Sequence, residues 1–186
     1  IVGMLTFVFV VGAVYVFYGY ITPEMENVLY LQPQQSAVVL IIFGAMSFVS
    51  NMMAGFMDMP WGSRSLIGNF GFLFAGLAGL WLFRELPIAD LGFMMVIALF
   101  MYSLATPIVT MFMEQARRHC PKGMKLAASL DPMTFNTGIV LGTFVGGSVV
   151  SHVGLEHIGA YGAVFALIAL GLVFLNLKLG KKQEQQ

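Results

Sequence analysis

Charge is scarce in this 186-residue chain: Asp, Glu, Lys and Arg together make 10%, against about 25% in an ordinary soluble domain. The 9 basic and 9 acidic residues cancel, so there is no basic face for a phosphate backbone, and nucleic acid is not an expected partner. A single cysteine, Cys120, leaves no internal disulfide. The motifs of intramembrane and soluble hydrolases are missing: no paired aspartate motif, no His-Glu-x-x-His, no Gly-x-Ser-x-Gly. His119, His152 and His157 lie in or beside loops without ligand spacing, so neither a metal nor another cofactor is expected, and enzymatic activity is not. Residue 1 is Ile inside an apolar run, with no charged n-region and no small-residue cleavage site. It does not read as a signal peptide, and the sequence reads as a piece of a longer chain.

Apolar residue types, Tyr included, make 59% of the chain; exchanging the 6 Tyr for the 21 Gly raises this to about 67%, against about 45–50% in soluble domains. That excess assigns lipid as the solvent for most of the sequence. Six apolar stretches stand out: Ile1–Ile21, Ser36–Phe56, Ser65–Phe83, Ile88–Met113, Leu126–Ser151 and Ile158–Leu177. Each has the roughly 20 residues that cross a hydrocarbon core of about 30 Å. All are expected to be helices, because lipid satisfies no backbone group and alternating strands are absent. Turn residues mark the breaks: Thr22-Pro23-Glu24, Gln32-Pro33, the segment from Met57 to Arg64, Arg84-Glu85-Leu86-Pro87, the polar run from Glu114 to Lys125, and Gly154. Residues 1–177 then form one six-helix domain, and 178–186 a charged tail expected to be disordered.

Eight of the nine basic residues (Arg64, Arg117, Arg118, Lys122, Lys125, Lys178, Lys181 and Lys182) fall in the second and fourth links and the tail; Arg84 alone lies on the other side. The bias puts both termini in the cytoplasm of a multi-pass protein of the bacterial inner membrane. Glu24, Glu26, Glu85 and Asp90 fall at the outer side.

Polar residues within the spans are the functional candidates. Asp131 is the one carboxylate well away from an obvious loop, and two readings stand. In one, Asp131-Pro132 is an N-cap followed by proline at the first helical position. In the other, the helix starts near Leu126, Asp131 lies about 7 Å into it, and the carboxyl carries a proton or binds a polar substrate. Asn136, about 140° further round that helix, bonds a neighbouring helix or contacts substrate. Tyr15, Tyr18 and Tyr20 occupy the outer half of the first span; they read as interface anchors, Tyr20 above all, with a cavity-lining role as the alternative for Tyr15, which lies deeper. Pro107 interrupts the fourth span. Gly138, Gly142, Gly146 and Gly147 make a stripe along the fifth, where another helix can approach backbone to backbone.

Three stretches carry a family likeness: Tyr20-Ile-Thr-Pro23; the run from Gly44 through Asn51 and Gly55 to Asp58, Gly62 and Arg64; and Ala127-Ala-Ser-Leu-Asp131 followed by Phe135-Asn136-Thr-Gly138, Gly142 and Gly146-Gly147. The chain resembles the C-terminal six-helix half of a major facilitator superfamily transporter, closest to the drug:proton antiporters of the arabinose-, nucleoside- and purine-efflux type. The second stretch is similar to a cytoplasmic gating motif, with Met59 where a basic residue is expected and one extra residue before Gly62. The third is similar to the eleventh helix of that group, with Asp131 where an amide is usual. The resemblance implies an all-α membrane fold, six transmembrane helices as 3+3 inverted repeats, forming half of the transporter. It implies secondary active, proton-coupled efflux of a small organic solute such as a sugar, nucleoside or drug. Tyr15, Asp131 and Asn136 would then line the substrate and proton pathway, and Asp58, Gly62 and Arg64 the cytoplasmic gate. The partners would be the solute, protons, the bilayer and an N-terminal half or a second half-subunit. A different class also fits a six-helix piece: a truncated fragment, or a non-transporting membrane subunit that seeks a partner through its glycine stripe.

Overall fold

The computed structural model describes residues 2–57, 62–103, 109–110, 113, 117 and 124–183, and all regular structure among them is helical. The long helices are α1 (Val2–Tyr18), α2 (Pro33–Met57), α3 (Gly62–Leu82), α4 (Pro87–Phe100), α5 (Met124–His152) and α6 (Ile158–Gln183). By length and composition three of them, α2, α5 and α6, can cross a membrane. Counting α1 and the helical link after it as one bent span gives four.

The punctuation in the sequence explains most boundaries. Pro33 opens α2, and the Gln35 side chain accepts from the Gln32 backbone N–H at 2.9 Å, closing the first turn. Pro87 opens α4 after an extended Leu86. Gly154, at φ +125, ends α5: its N–H reaches back to the Val149 carbonyl at 3.0 Å, and a Cβ there would meet the Glu156 carboxylate.

The structure departs from the sequence-based spans at four places. The first span stops at Tyr18, and the chain turns by 41° into a second helical piece, Ile21–Val28, that runs straight through Pro23. Proline at such an early helical position costs no hydrogen bond. The fourth stops at Phe100, seven residues before Pro107, which itself lies outside the described residues. The fifth begins at Met124 and keeps Asp131 and Pro132 inside the helix, so Asp131 is not an N-cap. The sixth continues to Gln183, making most of the expected tail helical.

Helix α1 is buried around most of its circumference and packs on α5 and α6; α4 packs on α2 and α3; α3 packs on α6. Exchanging α1, α2 and α3 with α4, α5 and α6 turns every one of these pairings into another of the set.

Small residues set the closest contacts. A Cβ on Gly142 would sit 2.5 Å from the Gly12 carbonyl oxygen and 2.9 Å from its Cα; one on Gly138 would sit 2.6 Å from the Val11 Cβ. Gly146 meets the Val16 carbonyl at 2.7 Å, whereas Gly147 meets chiefly the Tyr20 hydroxyl. The stripe therefore lies against α1. Two glycines outside that stripe do the same for α6: Gly159 faces the Leu77 carbonyl at 2.8 Å and Gly162 the Ala13 carbonyl at 3.0 Å. Tyr20 donates to the Thr143 carbonyl at 3.2 Å, so it is a packing residue of the α1–α5 seam.

Alanine at 142 must push two backbones apart. We expect Gly142→Ala to cost about 1–3 kcal/mol, the usual range for an overpacked contact, and Gly147→Ala clearly less, because only the end of a side chain has to move. Thermal unfolding of the purified variants in one detergent checks the order; equal losses would place the seam elsewhere.

Candidate functional site

One face of α1 carries Phe7, Val10, Val11, Val14 and Tyr15, at helical spacing. With Phe135 of α5 and with Met101 and Tyr102, just past the end of α4, these residues enclose a cavity of about 20 Å³, room for little more than a water molecule. Its walls are aromatic. Tyr15 stands edge-on to Tyr18 at 5.5 Å and to Phe135 at 6.1 Å; Phe7 lies 6.0 Å from Phe135; Tyr18 stacks on Phe43 of α2 at 5.7 Å. The Tyr15 and Tyr102 side chains come close to one another, and their hydroxyls are the polar points of an otherwise apolar lining. The lining offers aromatic faces of the kind that stack on flat organic molecules, in a space too small to take one as it stands.

The candidate residues fall in different relations to this pocket. Tyr15 lines it. Asp131 lies one turn from Phe135 on the same side of α5; it is half-buried, and its Oδ1 is buried without a hydrogen-bond partner. Asn136 is exposed, and its Nδ2 donates to the Pro132 carbonyl of its own helix at 2.8 Å. Asp58 lies outside the described residues, as do Met59, His119 and Cys120. Gly62 opens α3 and Arg64 sits in its first turn.

Sequence reasoning missed what holds Tyr102 in place. Helix α4 ends in the apolar interior, where its freed backbone groups need partners. Ser50 of α2 supplies one: its Oγ accepts from the N–H groups of both Tyr102 and Ser103, each at 3.0 Å. The Ser103 hydroxyl lies 2.9 Å from Asn69 Oδ1 on α3 and 2.8 Å from the Phe100 carbonyl, and Ser47 donates to the Met101 sulfur at 3.6 Å. Ser50, Asn69 and Ser103 are all fully buried. The available signal was Ser47 and Ser50 three apart on one face of an apolar helix.

No family model matches the chain. Curated relatives do. The inner membrane transport protein YdhP of Escherichia coli (strain K12) is 27% identical over 180 residues, which cover 95% of this chain and 44% of that protein. The MFS-type transporter YtbD of Bacillus subtilis (strain 168), named as uncharacterized, is 22% identical over 94% of the chain and 44% of its own length. A probable sugar efflux transporter of Pasteurella multocida (strain Pm70) is 24% identical over 89% of the chain and 40% of its own. The chain is similar, over nearly its whole length, to transporters of the major facilitator type. It spans less than half the length of these relatives.

The pocket wall at Tyr102 depends on Ser50. Ser50→Ala leaves two buried N–H groups without an acceptor, at about 1–3 kcal/mol for each unsatisfied group. We expect a lower melting temperature in detergent together with faster hydrogen exchange at Tyr102 and Ser103. Unchanged exchange there would show that another acceptor takes over.

Proposed function

We propose that this chain is the C-terminal six-helix half of a membrane transporter that exports a small organic solute, such as a sugar, nucleoside or drug, in exchange for protons. The observation that carries the reading is the exchange relation among the helix pairings: α1–α5 with α4–α2, α1–α6 with α4–α3, and α3–α6 with itself. Two three-helix repeats of opposite topology are related in this way, and two such halves flank a midplane site in transporters of this build. In this reading α1, α3 and α4, short or bent as they are, complete six spans with α2, α5 and α6. Residues 1–177 are the membrane domain and 178–186 a cytoplasmic tail, of which residues up to Gln183 extend the last helix, with both termini on the side of the eight basic residues.

The other half covers the open faces of α2 and α5. These helices are equivalent under the exchange, and each presents a broad exposed flank: Val38, Ile41 and Phe48 on one, Met133, Val140 and Phe144 on the other. Tyr15 and the aromatic pocket contribute the solute contacts of this half, Asn136 faces the shared cavity, and Asp131 carries the coupling proton. Asp58, Gly62 and Arg64 close the cytoplasmic end. The glycine seam lets α5 stay sealed against α1 while the halves rock. The membrane is the bacterial inner membrane, as the names of similar proteins suggest.

Inverted vesicles containing the chain with its partner half, offered a panel of sugars, nucleosides and drugs with and without a proton gradient, test the reading. Gradient-dependent uptake of a solute is the expected result. Asp131→Asn is expected to abolish or uncouple that uptake with membrane insertion unchanged. Wild-type uptake and pH dependence in this variant would remove Asp131 from the coupling role. Absence of flux for every solute, with a stable assembly present, would favour a non-transporting subunit instead.

A further inference from the structure

Two carboxylates outside the pocket have no partner. Glu24, in the turn Glu24–Val28 that follows Pro23, is completely buried, and neither carboxylate oxygen makes a hydrogen bond. Asp90, in the first turn of α4, is also completely buried with both oxygens unpartnered. A carboxylate in the first helical turn ordinarily accepts from the free N–H groups there; Asp90 does not. The two groups, from segments more than sixty residues apart in sequence, lie within electrostatic reach of one another, and Glu156 acts on Glu24 as well. Each carboxylate, buried and unpartnered, is costly as an anion, the more so with the other's charge near, and a bound cation removes most of that cost.

The surroundings narrow the cation. Beyond the pair, the titratable groups on the elements packed around Glu24 are Glu26 on its own turn and Glu156 and His157 on the turn Leu155–His157. The adjoining piece Ile21–Pro23 and the whole of α2 carry no ionisable side chain. Around Asp90, α4 carries no other charge, α3 has Arg64 only at its far end, and the link Phe83–Leu86 adds Arg84 and Glu85. Neither buried carboxylate bonds to any of these. Glu156 and His157 sit 3.5 Å apart and partly exposed, at 45% and 33%, so the buried pair has a polar route to water. Among the described residues no three side chains are grouped to hold a metal ion. A proton needs only the two oxygens already there.

We propose that Glu24 and Asp90 form a buried proton-binding site at the end of the bundle opposite the basic links, loaded from water past Glu156 and His157. The step is a plain protonation: a hydronium ion gives its proton to one carboxylate oxygen and leaves as water. Protonation of one carboxyl removes the like-charge repulsion between the link after α1 and the first turn of α4. When the proton leaves, two buried like charges repel, which favours separation of the link from α4. The site thus couples proton occupancy to opening at this end. That role rests on the transporter reading above; the existence of the site does not.

Two measurements on the protein in lipid nanodiscs test it. An apolar carbodiimide reacts with protonated carboxyls in apolar surroundings; at neutral pH, peptide mass mapping should find the adduct on Glu24 or Asp90 in preference to Glu26, Glu85 and Glu156, with labelling lost as pH rises. Infrared difference spectra across the same titration should show a protonated-carboxyl band that outlasts the ionisation of the exposed carboxylates and is missing from the Glu24→Gln, Asp90→Asn double variant. Absence of label from both residues, or a wild-type band identical to that of the double variant, overturns the proposal. The labelling needs no variant, so a double variant that fails to insert leaves the test intact. Labelling of the pair in a protein that moves no solute keeps the site and removes the transporter reading. Proton-driven flux with neither label nor band keeps the transporter reading and removes the site.

Discussion

The contact between Gly142 and Gly12 sets the geometry on which the other packing depends. A methyl group on Gly142 would lie 2.5 Å from the Gly12 carbonyl, so α5 and α1 meet through backbone atoms with no side chain between them. In lipid, helices gain little from the hydrophobic effect when they associate, since the tails are as apolar as the side chains; dispersion at close range has to supply the adhesion. The same device recurs along the bundle. Gly162 brings α6 to the Ala13 carbonyl, and Gly159 brings it to Leu77 of α3. A chain of small residues therefore runs α5–α1–α6–α3, and α1 in its middle is buried almost all round. The pocket follows from that spacing: with the seam this tight, Phe135, three residues before Gly138, is held against both Phe7 and Tyr15.

A second constraint is that backbone groups released in the membrane interior must find protein partners. At the end of α4 this requirement is met. Ser50 takes two N–H groups, and Ser103 sits between Asn69 and the Phe100 carbonyl. That well-served break makes the unserved carboxylates of Glu24 and Asp90 informative. A bundle that places one hydroxyl to satisfy two donors at one end leaves four carboxylate oxygens bare near the other. Structural polar groups are satisfied within the fold; groups that exchange a ligand keep their capacity open. By that criterion Glu24 and Asp90 stand apart from Ser50 and Asn69, although all four are equally buried.

How much of this could be read from the sequence depends on whether the cause was local. Helices α2 and α5 start and stop within three residues of the apolar stretches that announce them, because Pro33 and Gly154 act where they stand. The glycine stripe was legible as a close contact, though not which helix it meets. The end of α4 was not legible: Met101-Tyr102-Ser103 contains neither glycine nor proline, and the stop is stabilised from α2, about fifty residues earlier in the chain. Glu24 read as an outer link residue and Asp90 as lying just inside the next span, both on the outer side; their complete burial comes from tertiary packing, such as that of the turn Leu155–His157 on the turn that carries Glu24. Asp131-Pro132 had the local form of a helix start, yet the helix began a full seven residues earlier. The pocket needed Tyr15, Tyr102 and Phe135 from three separate elements, and no spacing rule connects them.

The open flank of α5 shows how the proposed rocking could be achieved at small cost. Its polar side chains are engaged with their own helix: Thr137 donates to the Met133 carbonyl at 2.8 Å, Ser148 to Phe144 at 3.0 Å, Ser151 to Gly147 at 2.8 Å, and Asn136 to Pro132. Back-bonding of this kind satisfies a hydroxyl donor without any partner across the interface. A facing helix gains no strong directional bond from these donors, and a departing one leaves none of them unpaired. The commitment is of donors only: Asn136 Oδ1 and the hydroxyl oxygens remain able to accept. On the other side of the same helix, the glycines lock α5 to α1 at backbone distance, where a displacement of a fraction of an ångström meets a steep wall. One helix thereby presents a fixed face to α1 and, outward, a face whose donors are already committed within the helix.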